Sequence, residues 1–190
     1  MSDEHVGRII RELREQQGLS VEELAHRSHC NPKFIEHLET GKLVPSLAPL
    51  TKIARGLGVH LGAFLDDAPE YGPIIVRGGH SDSEFHLSGI SPSSVGTLDF
   101  TSLATNKKDR HMEPFLITVH PTVPEDITLS SHEGEEFIYV LDGAIEVVYG
   151  TETHVIEAGD SIYYESTTPH QVQASGDADA RILAVIYTPA

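Results

Sequence analysis

Two patterns of hydrophobic and polar positions divide the chain. In the first third, apolar residues recur every three or four positions, as in "HVGRIIRELREQQ", where Val6, Ile9, Ile10 and Leu13 fall on one helical face. Beyond residue 73 this spacing gives way to short runs rich in Val, Ile, Tyr, Phe and Thr, separated by Gly, Pro, Asp and Ser. The pattern predicts an all-α segment followed by an all-β segment.

Capping signals mark the ends of the predicted helices. Ser20 opens "SVEE", a capping box, and Asn31 precedes a proline at the first helical position. Ser46 opens a fourth helix, and Gly18 and Gly58 follow helical runs as C-terminal stops. With a final turn or two in "HLGAFLD", the first third is predicted to be a bundle of five short helices.

Ten runs after residue 73 predict β-strands, from "IIVR" at 74–77 to "ARILAVIYT" at 180–188. So many short strands leave no room for the crossover helices of a parallel sheet, and they indicate a sandwich or barrel of the jelly-roll kind. The segment "DDAPEYGP" at 66–73 holds two prolines and a glycine, which is typical of a linker.

The stretch "LREQQGLSVEELAHRSHCNPKFIEHLETGKLVPS" resembles the helix-turn-helix domain of the XRE family, of phage-repressor and Cro type. The resemblance runs over nearly all of residues 5–66 and implies a lambda-repressor-like fold whose third helix reads double-stranded DNA in the major groove. Val21 departs from it, because the family commonly has a phosphate-positioning glutamine there. The residues expected to contact DNA are Asn31, Lys33, Glu36, His37 and Lys42.

The stretch "SSHEGEEFIYVLDG" carries an H-x3-E-x6-G pattern at His132, Glu136 and Gly143, and "GDSIYYESTTPH" places His170 after Gly159. Together they resemble the two motifs of the cupins, and the resemblance covers residues 72–188. The expected fold class is therefore multi-domain α + β: an N-terminal all-α helix-turn-helix domain at 1–66, a linker at 67–73, and a C-terminal all-β cupin jelly-roll barrel at 74–190.

An even spacing can place His132 and Glu136 on one strand face, and His170 can converge on them from a later strand. Two imidazoles and one carboxylate suit Fe(II), and manganese, nickel or zinc could use the same ligands. Ser130 stands where most metal cupins carry a further histidine, so the alternative is a metal-free polar clamp for a small molecule.

Three further residues are expected to line the ligand pocket: Ser130, Phe100 and Tyr139. Two other histidines of the predicted strands, His120 and His154, are expected at the surface. The basic cluster in "TNKKDRH" is expected to be an exposed turn.

Charge is distributed unevenly. Residues 1–65 hold eight Lys or Arg and eight Asp or Glu, whereas residues 66–190 hold five against 21 and account for the net charge of −16. Any DNA contact is therefore expected in the first third. A single cysteine, Cys30, fits a reducing compartment, and no run is long enough for a membrane span, so a cytoplasmic protein with no membrane partner is expected.

Three functional classes fit these features. The main expectation is a transcription regulator, without catalytic residues, that acts as a homodimer and senses an unknown small-molecule effector in its barrel. An alternative is an Fe(II)-dependent cupin oxygenase resembling hydroxypropylphosphonate epoxidase, although Gly18 and Phe100 stand where that enzyme has a lysine and a tyrosine. A third is a binding protein whose helical domain serves in assembly.

Overall fold

The computed structural model describes residues 3–43, 45–64, 72–77, 84–87, 98–107, 110–121 and 129–189. Most of the expected linker at 67–73, namely residues 67–71, lies outside the described residues, so its boundaries stay a prediction. The expected two-part architecture of helices followed by antiparallel strands is confirmed.

Four α-helices and one short 3-10 helix form the N-terminal part: α1 Asp3–Gln16, α2 Val21–Arg27, α3 Pro32–Glu39, α4 Leu47–Leu57, and a 3-10 turn at Leu61–Phe64. The capping box at Ser20 is complete, because its hydroxyl accepts from the N–H of Glu23 and the Glu23 carboxylate accepts from the N–H of Ser20. The side chain of Asn31 caps α3 with a single hydrogen bond, which it accepts from the N–H of Lys33. Apolar side chains from all five elements fill one core, among them Ile10, Leu24, Ile35, Ile53 and Phe64.

Helix α1 crosses α3 at very short distance. A Cβ atom at Gly7 would lie 2.0 Å from the carbonyl oxygen of Leu38, so only glycine allows this approach. Near the same crossing, Arg14 of α1 makes a bidentate ion pair with Glu39 at the end of α3, with N···O distances of 2.6 and 2.8 Å. These contacts fix the orientation of α3 in the bundle.

The described strands lie in two antiparallel sheets. They are β1 Glu84–Leu87, β2 Leu98–Ser102, β3 Met112–Val119, β4 Glu135–Asp142, β5 Ala144–Tyr149, β6 Glu152–Glu157, β7 Ser161–Glu165, β8 His170–Ala174 and β9 Ala180–Tyr187. One sheet has the order β1-β2-β3-β9-β4-β7, and the other has the order β6-β5-β8. Large apolar side chains such as Phe115, Ile138, Ile145 and Ile182 are buried in the barrel. The strand predicted at 74–77 is wrong, since those residues form no extended strand.

A buried ion pair joins the helical part to the barrel. One oxygen of Glu113 accepts a hydrogen bond from the backbone N–H of Gly62 at 2.9 Å, and the other accepts from Nε of Arg110 at 2.7 Å. The prediction of an exposed turn is wrong at Arg110, which is only 8% exposed because it packs against the 3-10 helix. Lys107 is half-buried, and Lys108 lies outside the described residues.

Candidate functional site

Three residues of the two sequence motifs meet inside the barrel. His132 precedes β4, Glu136 is the second residue of β4, and His170 opens β8; all three are buried. The Nε2 atoms of His132 and His170 lie 2.8 and 3.3 Å from Oε1 of Glu136. One ligand atom from each residue lies within 4.8 Å of the other two. We refer to these residues as the His–Glu–His cluster.

Backbone hydrogen bonds hold the loop that carries His132. Ser130 and His170 exchange two N–H···O bonds, of 3.0 and 2.9 Å, and the N–H of His132 donates to the carbonyl of Ser166 at 2.9 Å. Gly134 has a positive φ of 118°, and a Cβ there would lie 1.9 Å from the carbonyl oxygen of Tyr187. A substituted residue would therefore displace this loop from β9.

The hydrogen-bond partners of the histidines determine which ring nitrogens face the cluster centre. Nδ1 of His132 lies 3.1 Å from the carbonyl of Glu133, and Nδ1 of His170 lies 2.8 Å from the carbonyl of Thr168. Carbonyl oxygens only accept, so each Nδ1 is assigned as protonated. In the neutral rings both Nε2 lone pairs then point at a carboxylate oxygen. Such an arrangement requires protons on Nε2 or a cation between the three groups.

Two residues that the sequence did not predict hold the carboxylate. The hydroxyl of Tyr164 donates to Oε2 of Glu136 at 2.8 Å, and the hydroxyl of Ser166 donates to Oε1 at 3.0 Å. Tyr164 is the direct cross-strand partner of Glu136 in the β4–β7 pair. The alternation within "SIYYE" could have identified it, because only one of the two tyrosines can share the face of Glu136.

Electrostatics inside the barrel favour the ionised carboxylate. Burial by itself would raise the pKa of Glu136, but hydrogen bonds from His132 and His170 outweigh it and hold this pKa well below its usual range. Burial tends to lower the pKa of His170, yet its contact with Glu136 raises it overall. The pKa of Tyr164 is raised well above its usual value by burial and by the neighbouring carboxylate.

The three predicted pocket residues have different positions. Ser130 is half-buried and lies directly opposite His170, so both side chains share one face. Phe100 is buried on the inner face of the barrel, edge-to-face with Phe115 at 5.5 Å. The prediction for Tyr139 is wrong, because strand alternation puts it on the face opposite Glu136, where it is 37% exposed.

The five residues predicted to contact DNA are all exposed, and they lie at the start, along and just after α3. Ile35 and Leu38 anchor the inner face of that helix. The side-chain oxygen of Asn31 accepts from the N–H of Lys33 at 2.9 Å, and its amide NH2 group is the part of this side chain that can donate to a phosphate. The structure thus presents one polar helix face, whose contacts with DNA stay a prediction.

His120 is less exposed than predicted. Its ring nitrogens lie 2.9 Å from Asp179 and 2.8 Å from Asp99, whereas the side chain of His154 is 43% exposed, as predicted. Hydrogen bonds to Asp99 and Asp179 raise the pKa of His120 above its ordinary value of 6.5.

This raised pKa predicts a pH-dependent contribution to stability. The imidazolium of His120 stabilises the folded state below the unfolded pKa near 6.5, and this contribution disappears as the pH rises through the higher folded pKa. Replacing His120 by glutamine should lower the free energy of unfolding by about 1 kcal/mol at pH 5.5 and by less at pH 8.5. Thermal melts at both pH values, with His154→Gln as control, would measure the difference. An equal loss at both pH values would contradict this role.

None of the helices in the described ranges is both long and apolar enough to cross a membrane.

Comparisons with known proteins match both parts of the chain. Residues 5–65 match the family model of a helix-turn-helix domain, and residues 115–186 match that of a cupin domain. The HTH-type transcriptional regulator PuuR of Escherichia coli is 27% identical over 100% of this chain and 98% of its own length. The (S)-2-hydroxypropylphosphonic acid epoxidase of Streptomyces wedmorensis is 28% identical over 94% and 93%.

Solved structures show the same architecture. An HTH_3 family transcriptional regulator from Vibrio cholerae superposes with a TM-score of 0.71 at 22% identity, covering 100% of this chain and 98% of that one. FeII HppE superposes with a TM-score of 0.51 at 25% identity, covering 98% and 100%. The first likeness supports the fold alone. The second shows that a chain of this architecture is known with Fe(II).

Proposed function

Because this chain joins an N-terminal helix-turn-helix domain to a C-terminal cupin domain, we propose that it is a DNA-binding transcriptional regulator whose barrel senses a small molecule. The observation that carries the proposal is the buried His–Glu–His cluster in a barrel that is hydrogen-bonded to the helical domain. PuuR, similar over the whole chain, is named an HTH-type transcriptional regulator.

The His–Glu–His cluster is proposed to hold a divalent metal. His132 and His170 would each supply Nε2, and Glu136 would supply a carboxylate oxygen, a donor set that fits Fe(II), manganese, nickel or zinc. A bound metal would offer open coordination positions to an oxygen-donor effector. Tyr164 and Ser166 would keep the carboxylate oriented. Ser130 lies on the same face as His170, beside the cluster.

The exposed face of α3 is proposed to read the major groove. Lys33 could donate to a guanine edge or a phosphate, and Glu36 could accept from a cytosine amine. His37 and Lys42 extend this face toward the C-terminal end of α3. Two copies would place two such helices on half-sites about one DNA turn apart.

The loop beside the His–Glu–His cluster also contacts the helical domain. Arg55, in the last turn of α4, forms an ion pair with Glu133, whose carbonyl faces Nδ1 of His132. The buried contact between Gly62 and Glu113 provides a second connection. A movement of His132 when metal or effector binds would therefore be transmitted to α4 through the single residue Glu133. We propose that the effector changes DNA affinity by this route.

DNA binding can be tested by selecting sequences from a random duplex pool and measuring affinity by fluorescence anisotropy at fixed salt. Lys33→Ala and His37→Ala should each weaken binding to a selected site roughly 10- to 100-fold, the loss expected for one base contact. His154→Ala, on the barrel surface, is the control and should bind normally. Selected sites bound equally well by all three variants would show that another surface binds DNA.

The epoxidase similarity favours an iron oxygenase as the second candidate. Oxygen consumption by the iron-loaded protein with hydroxypropylphosphonate would support it. The regulator proposal predicts no substrate-dependent consumption together with selective DNA binding.

A further inference from the structure

A cavity lies where the helical domain meets the end of the barrel. The last turn of α4, the loop after it and the 3-10 helix form one wall, and Thr188 and Pro189, which directly follow β9, form the other. Its volume is about 90 Å³, and Ala54, Val59, Leu61 and Pro189 make its lining largely apolar. We call it the interdomain cavity. No residue of the His–Glu–His cluster lines it, so it is a separate site.

Contacts between the two domains hold the walls of this cavity in place. Glu113 of the barrel accepts a hydrogen bond from the backbone N–H of Gly62, next to Leu61 of the cavity wall. His60, which also lines the cavity, packs edge-to-face against His111 of the barrel with 5.3 Å between the ring centroids. The cavity is therefore preformed, and interfaces between domains are common places for small-molecule sites.

The backbone carbonyls at the end of α4 are already engaged. The carbonyl of Ala54 accepts from the N–H of Val59 at 2.9 Å, and the carbonyl of Leu57 accepts from the side-chain amide of Gln17 at 2.7 Å. This wall therefore offers few acceptors to a ligand that donates hydrogen bonds or carries a positive charge.

Two side chains of the cavity offer hydrogen-bond donors instead. Arg55 makes its ion pair with Glu133 through Nη1, so its Nε and Nη2 groups remain as a fork for a second carboxylate. The side chain of Arg55 is 55% exposed, which places it at the mouth. The hydroxyl oxygen of Thr188 is buried, and the described part of the chain gives it no hydrogen-bond partner. Rotation about the Cα–Cβ bond of Thr188 would direct this hydroxyl at an acceptor in the cavity.

The volume limits the ligand to a short chain. An apolar cavity of about 150 Å³ in another protein encloses benzene. By that measure the interdomain cavity encloses an alkyl chain of about two or three carbons. A charged group on that chain must stay at the mouth, in water and beside Arg55, because burying it away from a partner would be costly.

We propose that the interdomain cavity binds a monocarboxylate of about three or four carbons. Its carboxylate accepts from Arg55 at the mouth and from Thr188, and its alkyl chain lies against the apolar lining. Because Glu133 shares Arg55 with this ligand, occupancy of the cavity weakens the contact between α4 and the loop of the His–Glu–His cluster. Binding does not depend on the proposed function, whereas a resulting change in DNA affinity would rest on it.

Titration of the full chain with sodium propionate at neutral pH, followed by amide NMR, tests the site. The expected dissociation constant is about 1 mM, within the affinity that so small a ligand can reach. The shifts should saturate and centre on Val59, His60 and Leu61. Propionamide has the same shape without the charge and should bind roughly 10-fold more weakly. Shifts that do not saturate, shifts that sodium chloride reproduces, or equal binding of propionamide would overturn the proposal.

Substitutions test the position of the ligand. Arg55→Met should weaken propionate binding roughly 10-fold, and Thr188→Val should weaken it roughly 3-fold. Arg11→Met is the matched control, because Arg11 is 56% exposed and likewise pairs with a carboxylate, that of Glu15. Val59→Phe fills the cavity and should abolish binding, with circular dichroism confirming that each variant is folded. Normal binding by Val59→Phe, or equal losses in Arg55→Met and Arg11→Met, would place the ligand elsewhere and overturn the site.

Glu133→Gln tests whether the ligand and the cluster loop share Arg55. Removal of the competing charge should tighten propionate binding roughly 2- to 5-fold, the usual size of an exposed ion-pair effect. Glu152→Gln is the control, because its side chain is 74% exposed on β6, and it should leave the affinity unchanged. An unchanged or weaker affinity in Glu133→Gln would refute the competition for Arg55.

These titrations contain neither DNA nor metal, so their outcome is separate from that of the proposed function. Saturable propionate binding by a protein that binds no DNA sequence selectively would support the interdomain site and refute the regulator proposal. Selective DNA binding by a protein that does not bind propionate would refute the site and leave the regulator proposal intact.

Discussion

Replacement of Glu136 by glutamine is expected to lower the affinity of the barrel for a divalent metal by roughly 100-fold or more. Glutamine keeps the shape and can still accept from Tyr164, but it removes the single negative charge of the His–Glu–His cluster. Loss of a residue that merely supports a ligand already costs 10- to 100-fold in affinity. Loss of the ligand charge itself should cost at least as much.

The measurement is metal content after loading with iron, manganese, nickel or zinc and exhaustive dialysis, followed by calorimetric titration of the best-bound ion. Glu133→Gln is the matched control, since Glu133 lies in the same loop with its side chain 48% exposed toward Arg55. It should retain metal. Equal metal content in both variants would refute the ligand assignment, and a wild type that never retains metal would make the cluster a polar clamp.

Metal binding by the cluster is also predicted to depend on pH. In the metal-free protein Glu136 raises the pKa of His170, so a metal must displace the proton that this contact favours. The apparent affinity of the wild type should therefore fall as the pH is lowered, and the titration should be run above neutral pH.

Local signals explain why the helical part could be predicted from sequence. Ser20, Asn31 and Gly58 each fix a helix end through contacts within a few residues, and the structure shows those ends. The bidentate ion pair of Arg14 and Glu39 could not be predicted. The two residues are 25 positions apart in the sequence, and they meet only because α1 crosses α3.

The residues of the candidate site also fall into those that the sequence predicted and those that it did not. The spacing of His132 and Glu136 within one motif, and the family resemblance at His170, predicted three residues that the structure does bring together. Tyr139 was misjudged although alternation within β4 already puts it on the face opposite Glu136. Tyr164 was missed because the choice between it and Tyr163 depends on the register of β4 and β7, which the sequence does not specify.

The prediction that Arg110 is exposed was wrong for a different reason. Its run of charged neighbours is typical of an exposed turn, but the 3-10 helix of the other domain covers it and Glu113 neutralises it. A contact between domains leaves no periodic pattern in either one.

Replacement of Glu39 by alanine is expected to destabilise the helical domain by about 3–5 kcal/mol, the usual loss when one partner of a buried ion pair is removed. The side chains of Arg14 and Glu39 are 11% and 6% exposed. Without Glu39, Arg14 would keep its hydrogen bond to the carbonyl of Leu19 and a longer contact of 3.6 Å with the exposed carboxylate of Glu15, but lose both short bonds to Glu39. A guanidinium would remain largely out of water with most of its donors unmatched.

Denaturant unfolding followed by far-UV circular dichroism would measure this loss. Glu12→Ala is the control, because its ion pair with Arg8 is half exposed on the surface of α1 and should contribute less than about 1 kcal/mol. Arg14→Met combined with Glu39→Leu should recover much of the stability, since it removes both buried charges. If the double variant unfolded as easily as Glu39→Ala, lost packing rather than the uncompensated charge would be the cause.

The same substitution connects stability to function. Glu39 is the last residue of α3, and its pair with Arg14 ties the end of this helix to α1. DNA affinity should therefore fall in Glu39→Ala even at temperatures where the domain stays folded, because the face carrying Lys33 and His37 loses its fixed orientation. Recovery of both stability and DNA affinity in the double apolar variant would show that the pair orients α3 and makes no contact with DNA itself.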